Sequence, residues 1–462
     1  MNLPRLIIAD EIKAGIVSPG LMLVYAMANF GIKMKVFLCS RPESDARLLK
    51  VVANIESVSI DSYLCGSVKN LKTLFQYFGS EDALNIILTP LGDRRSDDLV
   101  QVRPEAVDLA KSLDCGIVTV FSASASAIQT ANMASSAINE LDPDGAMRVL
   151  GAIFVSPQNP REYQLLEQEF GRRTPVLSLG YLPKEIERVI PPIDGLYGDG
   201  VAMRMLQIKS AVLQLVSNPY QVEWQVLEAF GHLKEEWIPP IETRLMARFL
   251  KVALVGQETL SLESSNAAEM FKFMKCSVVS YDPLNDPFPK DADVIYFPNI
   301  IAGRYAADML SKESFVTGLK QAMISNKLLL ATGSSAPIFG KFFVTYGEER
   351  GKIEGLGFFD FHGRFTAPND KTPSRKVEIR AISDSNFTKT DEKLKGVALN
   401  YVQISNPGNV VHSEWAYRDI LKDVELGVSG WERGYCFVTD LQLELWSNFD
   451  IVNRWLALRT KR

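Results

Sequence analysis

Histidine and cysteine are both scarce in this chain, and the shortage narrows its chemistry. Only His232, His362 and His412 occur in 462 residues, so an imidazole proton shuttle has three candidates and a histidine-based metal site almost no material. The five cysteines (Cys39, Cys65, Cys115, Cys276, Cys436) lie far apart and form no CxxC or CxxxC pair. Such a scatter fits buried thiols in a reducing compartment, and no metal ligand set is expected. No run approaches the ~18 uninterrupted apolar residues that a membrane helix needs. Formal net charge is −5 with no dense Lys/Arg block, which disfavours a nucleic-acid face. The opening MNLPRLIIADEIK lacks the basic start and small-residue cleavage site of a secretion signal, so a cytoplasmic protein without membrane contact is expected. Internal repeats and low-complexity segments are absent.

What is there suits large cores. Hydrophobic residues make up 47% and charged residues 23%, ordinary for a globular protein, and the length suggests two domains. Short apolar runs at Leu6 to Ala9, Lys35 to Leu38, Asn85 to Leu88, Gly116 to Phe121, Val149 to Val155 and Val176 to Leu179 read as strands. Amphipathic stretches between them, Leu21 to Phe30, Val68 to Phe78, Glu105 to Leu113 and Ile128 to Leu141, read as helices. Continuous Val/Ile/Leu strands alternating with helices predict a parallel sheet covered on both faces. Residues 201–247 read as a mainly helical bridge. A second α/β series starts at Phe249 and runs through Ala267 to Met274, Ser277 to Tyr281, Val294 to Phe297, Phe315 to Ser325 and Lys327 to Ala331. Beyond Gly340 the pattern turns strand-like, with Val377 to Ile382 and Val397 to Ile404 as examples, and Ala367 to Arg375 reads as an exposed loop.

This order of elements, with three local phrases, resembles cobyrinic acid a,c-diamide synthase and the wider cobyric acid synthase group. The phrases are Arg148-Val-Leu-Gly-Ala-Ile-Phe followed by Arg173-Thr-Pro-Val-Leu-Ser-Leu-Gly-Tyr-Leu-Pro; Ala292-Asp-Val-Ile-Tyr-Phe-Pro; and Gly430-Trp through Ser447-Asn448. The resemblance implies a P-loop NTPase-like domain of the dethiobiotin-synthetase type over 1–200, the bridge over 201–247, and a class I glutamine amidotransferase-like domain over 248–462. It also implies ATP and magnesium as cofactors of the intact family and glutamine as its nitrogen source.

The family's motifs are altered where chemistry would occur. A P-loop wraps phosphates with glycine amides, reaches them with a Lys and holds magnesium through Ser/Thr. The resemblance puts Val17 at the Lys position and Ser18 at the hydroxyl, with Lys13 as a nearby substitute. Asp10 and Glu11 add negative charge where phosphate oxygens would sit. The family's acidic metal positions fall at Leu88 and Ser122, and its later Lys near Leu38. No nucleotide binding and no cofactor are therefore expected. In the second half the family's nucleophilic Cys falls at Gly333, its two histidines at Gln442 and Glu444, and its oxyanion glycines at Asn299 and Ile300. Ser334 with His412 is the remaining nucleophile–base pairing to weigh. No catalytic residue is expected.

Candidate ligand contacts are Asp45 and Asp61, at positions where the family keeps aspartates; Tyr63, an aromatic beside polar groups; and Arg94 and Arg95, which follow a strand and suit an anion. The late aromatics Trp415, Tyr417, Trp431, Tyr435, Trp446 and Trp455 suit a core or a subunit contact. Three functions are compatible: a silent binding, scaffold or regulatory protein, with a tetrapyrrole as ligand or an active paralogue as partner; an amide-forming enzyme with a rebuilt site; or a structural subunit. A homodimer, or a heteromer with a related synthase, is the expected assembly.

Overall fold

A computed structural model describes residues 2–13, 16–96, 99–102, 104–157, 159–183, 196, 201–217, 222–233, 236–237, 249–256, 259–262, 266–346, 351–366, 374–405 and 412–460. The chain divides into two compact units, one of 1–62 with 67–241 and one of 63–66 with 242–462.

The first unit contains strands β1 Arg5–Asp10, β2 Met34–Leu38, β3 Ser57–Ser59, β4 Leu84–Pro90, β5 Gly92–Ser96, β6 Leu99–Val102, β7 Gly116–Ser122, β8 Val149–Val155 and β9 Leu177–Leu182. Seven of them form one parallel sheet in the order β3-β2-β4-β1-β7-β8-β9. Every residue of β1 and β4 is buried, as continuous apolar strands under helices should be. The helices are α1 Pro19–Asn29, α2 Glu43–Leu48, α3 Val68–Phe78, α4 Pro104–Leu113, α5 Ala127–Leu141, α6 Pro160–Gly171, α7 Val201–Ser217 and α8 Trp224–Gly231. Their starts are written locally: Ser18, Ser67, Ser126 and Asn159 each cap a helix with a side-chain oxygen. From β1 the chain turns to β2, β3 and β4 on one side, then to β7, β8 and β9 on the other. The carboxyl end of β1 is thus the switch point at which such sheets form a crevice.

Within the segment expected as a bridge, α7 and α8 fall in this first unit, with α7 along α1 and α8 against β1, β4 and β7. Residues 238–248 lie outside the described residues. The hairpin of β5 and β6 separates β4 from α4, a feature not read from the sequence.

The second unit has a six-stranded sheet built from β10 Lys251–Val255, β11 Ser277–Tyr281, β12 Val294–Phe297 and β13 Leu328–Ala331, joined by two strands from late in the chain, Trp431–Arg433 and Cys436–Val438. Helices α9 Asn266–Phe273, α10 Ala302–Ser311, α11 Glu313–Ile324 and α12 Phe449–Thr460 belong to the same unit. The strand-rich remainder is β14 Phe342–Val344, β15 Lys352–Glu354, β16 His362–Phe365, β17 Arg375–Ala381, β18 Lys393–Ala398, β19 Val402–Ser405, β20 Trp415–Asp419, β21 Val424–Ser429, β22 Trp431–Arg433, β23 Cys436–Val438 and β24 Leu441–Leu443. It supplies a four-stranded sheet, β15-β14-β16-β19, and a five-stranded one, β21-β20-β17-β18-β24.

Two local readings need correction. Val397 to Ile404 is not one strand: a turn at Asn400 and Tyr401 splits it, and β18 and β19 join different sheets. Arg375 opens β17 rather than closing a loop, while 367–373 lie outside the described residues. The late tryptophans are interior. Trp415 packs 4.7 Å from Phe437, Trp431 4.8 Å from Phe361, and Trp455 5.7 Å from Phe387, centroid to centroid.

Candidate functional site

At the carboxyl end of β1, Asp10 turns its carboxylate onto the first turn of α1. Its Oδ2 accepts from Gly20 N at 2.8 Å, and the Ser18 hydroxyl oxygen accepts from Leu21 N at 3.3 Å. Pro19, first in the helix, has no N–H. The amides and positive dipole end that bind anions in many α/β proteins are therefore already engaged by the protein's own oxygens. Arg41, in the loop after β2, completes the group. Its Nε donates to Asp45 Oδ2 at 2.7 Å, one terminal nitrogen donates to Asp10 Oδ1, and the other to the Ser18 hydroxyl. Its side chain is 1% exposed, against 0% and 2% for the two carboxylates. Burial opposes the guanidinium charge, but Asp10 and Asp45 outweigh it and raise the Arg41 pKa. Burial, then the Asp45 charge, drives the nearby Tyr25 phenol well above its ordinary value.

On the other side of β1 a shallow depression is lined by Glu11, Lys13, Ile16, Val17, Ser122 and Val155, among others. Val17 is a core residue, 2% exposed. Lys13 is exposed, yet its ammonium reaches inward and donates to Ser122 Oγ at 3.2 Å, while Glu11 Oε1 accepts from Ser122 N at 3.2 Å. Leu88 is fully buried within β4. Asp61, 3% exposed, accepts from Ser40 Oγ at 2.9 Å. Tyr63, grouped with the second unit, has the Lys395 ammonium 4.2 Å over its ring. Arg94 and Arg95 sit on β5, and their side chains lie outside the described residues.

In the second unit β13 ends at Ala331 and the chain bends sharply through Gly333 into a short 3₁₀ turn over Gly333–Phe339. Gly333 has φ +58°, the left-handed conformation that a nucleophile elbow imposes. A Cβ added there would lie 3.0 Å from Asn299 Oδ1 and 3.1 Å from its Cβ and Cγ. Asn299, at the end of β12 and fully buried, thus stands against the face where a nucleophile's side chain would emerge. Its Oδ1 accepts from Ser334 N at 3.1 Å and from Ser334 Oγ at 2.6 Å, and its Nδ2 donates to the Tyr401 hydroxyl at 2.8 Å. An elbow of this type offers the amide after the nucleophile to a developing oxyanion. Here that amide already has a neutral oxygen.

Ser334 also donates to Ile300 O, and Ser335 Oγ donates to Pro298 O at 2.6 Å. Both serine hydroxyls are thus engaged by amide and carbonyl oxygens, while His412 is exposed and His362 stacks on Phe342. Gln442 lies half-buried on β24, and Glu444 Oε1 accepts from Trp446 N at 3.2 Å. Among the described residues no group of three or more His, Cys, Asp or Glu side chains could hold a metal, and no helix is long and apolar enough to cross a membrane.

No protein-family profile matches the chain. Curated proteins do. The cobyrinate a,c-diamide synthase of Caldanaerobacter subterraneus subsp. tengcongensis is 23% identical over 354 residues, 75% of each chain. That of Listeria monocytogenes serotype 4b is 22% identical over 304 residues, 65% of this chain and 67% of the relative. The chain is thus similar, at low identity, to cobyrinate a,c-diamide synthases over two thirds to three quarters of its length. Among solved structures, a glutamine amidotransferase (11% identity) and PurLQS from Thermotoga maritima (13%) each cover 46% of this chain and 97% of their own, both at TM-score 0.32.

Two residues of these groups, Arg41 and Asn299, carry little signal of their role in the sequence. Arg41 was hidden because its partners come from three separate elements, although a loop Arg four residues before Asp45 was a usable hint. In the sequence Asn299 stands out only as a glycine missing from the family phrase. That its amide would turn back onto Ser334 needed the register of β12 beside β13.

Proposed function

We propose that this relative of the synthases is catalytically silent and acts by binding, as a scaffold or regulator of a related synthase or of a tetrapyrrole-bearing partner, in the cytoplasm. The observation that carries the proposal is Asn299. At a preserved elbow with φ +58° at Gly333, its amide oxygen takes the Ser334 N–H and its side chain crowds the nucleophile's direction. Glycine cannot form a thioester, and a hydrolytic site also needs the oxyanion donor unengaged. The first unit supports the same reading. Val17 is buried where the family's Lys would stand, Ser122 and Leu88 stand where its acidic groups would, and the α1 amides are capped by Asp10 and Ser18. These residues do not fit a magnesium nucleotide, and no cofactor is proposed.

The test is ammonia release from glutamine together with calorimetry against Mg-ATP. The silent reading expects no turnover and no binding tighter than about millimolar, roughly −4 kcal/mol. Turnover by the unaltered protein, or a micromolar constant for ATP, would overturn it. One observation favours a rebuilt enzyme instead, namely Lys13 reaching Ser122 at the switch-point depression. That reading requires Lys13→Ala to abolish whatever ATP-dependent activity is found.

A further inference from the structure

The buried group around Arg41 lies outside the glutaminase argument and has its own chemistry. One guanidinium gathers three oxygens from three elements: Asp10 from the end of β1, Ser18 from the cap of α1, and Asp45 from α2. Its planar fork suits this, since each donor direction meets a separate acceptor. All the charged members are at least 98% buried, so water contributes little to screening them. Asp10 has two tasks at once: Oδ1 holds Arg41 while Oδ2 caps Gly20 N. A Cβ at position 20 would lie 2.9 Å from Asp10 Oδ2, so a larger residue there would push the carboxylate off this arrangement. The capping of α1 and the placing of α2 therefore hang on one cation.

We infer that Arg41 is a resident cation of the first unit. Its guanidinium organises the carboxyl edge of the sheet as a bound ligand would, and so makes the order of that edge independent of any nucleotide or metal. The inference rests on the reading that the first unit takes no nucleotide, and the two fail separately. Without the guanidinium, Asp10 and Asp45 face each other's charge in a dry site, Asp10 loses its orientation, and α1 loses the cap on Gly20. A small planar cation of the same shape restores all three contacts. A spherical or bulky cation does not.

The experiment compares the intact chain with Arg41→Ala and Arg41→Lys by thermal unfolding and by amide hydrogen exchange at the start of α1. Additions are millimolar guanidinium, sodium and tetramethylammonium, each as chloride and far below denaturing levels. Arg41→Ala is expected to lower the melting temperature by roughly 6 °C or more and to speed exchange at Gly20 and Leu21. Guanidinium, but neither other cation, should recover at least half of the shift and slow those two amides again, while leaving the unaltered protein unchanged. Arg41→Lys should lose part of the stability, since one ammonium cannot span three acceptors, and should not respond to guanidinium.

If Arg41→Ala does not fold, the same readouts are applied to Arg41→Ala with Asp45→Asn. That variant carries one buried carboxylate fewer, and protection of Gly20 should again return with guanidinium alone. Unchanged melting in Arg41→Ala, equal rescue by all salts, or no rescue in either variant would overturn the inference. A rise in melting temperature of the unaltered protein with Mg-ATP would instead overturn the reading on which it rests.

Discussion

The two units hold their sheet edges together by opposite means. In the first, a charged group does it: Arg41 draws two buried carboxylates together and one of them caps α1. In the second, a neutral amide does it: Asn299 satisfies Ser334 and Tyr401 without a formal charge. A buried charge pair is costly to form and far more costly to break, because the survivor is left uncompensated. A neutral hydrogen-bonded amide carries smaller stakes on both sides. The first closure should therefore be brittle to substitution, and the second forgiving.

The comparison breaks first at Asp10. Asp10→Ala strips Arg41 of one partner and Gly20 N of its acceptor, and should destabilise the first unit by about 3–5 kcal/mol. Hydrogen exchange read on β1 and β7 would report it, with β12 and β13, which belong to the other unit, as the control. A loss under ~1 kcal/mol would mean that the ion group carries no more than a surface pair. Asn299→Ala is the counterpart. It leaves the Ser334 N–H without its partner and removes the amide from Tyr401, for about 1–3 kcal/mol, to be read on β12 and β13. If this variant loses more than Asp10→Ala, the contrast between charged and neutral closure is wrong.

How much of this was legible in the sequence follows from how local each determinant is. Most core strands of both sheets were readable within a few residues, since parallel strands under two helix layers are continuous apolar runs. Val17, Leu88 and Gly333 stand out in the sequence only against the family resemblance, where a missing side-chain type is visible at one position. The occupants were not. Arg41 meets Asp10 across 31 residues and Asn299 meets Ser334 across 35, so nothing within either segment announces the contact. Short strands such as β14 and β15, three residues each, carry too little periodicity to be seen. Tyr401 reaches Asn299 only because the apparent strand at 397–404 breaks at Asn400 and Tyr401.

Acidity sharpens the contrast further. Burial raises the Asp440 carboxyl from 3.8 to about 6, and Ser429 Oγ, donating at 2.5 Å, only partly offsets it. Between those two values the folded chain keeps a proton that the unfolded chain has released. The contribution of Asp440 to the second unit's stability should thus be greatest below pH 4, fall as pH rises through the window, and level off above about 6, against the opposite trend of the ion-paired Glu378, Asp384 and Glu392, whose carboxyls are held low. Asp440→Asn should flatten the profile there. Urea unfolding of both chains across pH 3.5 to 7 (roughly the span of the shifted group) would decide it, and a stability difference between them that does not change with pH in this window would contradict the assignment.

The smallest expected effect is the most telling, because it is an absence. Gly333→Cys returns a thiol to the elbow, yet a nucleophile alone recovers little when base and oxyanion donor act as a unit. The added Cβ meets Asn299 at 3.0–3.1 Å, and a non-glycine residue at φ +58° carries strain of ~1–2 kcal/mol. Gln442 and Glu444 supply no imidazole to move the proton. Ammonia release from glutamine by this variant should stay at background. Adding Gln442→His, Glu444→His and Asn299→Gly stepwise should matter in one order only: the histidines bring nothing until Asn299 is removed, because until then the amide oxygen still takes the Ser334 N–H. Activity from Gly333→Cys alone, with Asn299 in place, would mean that the neutral closure does not close the site.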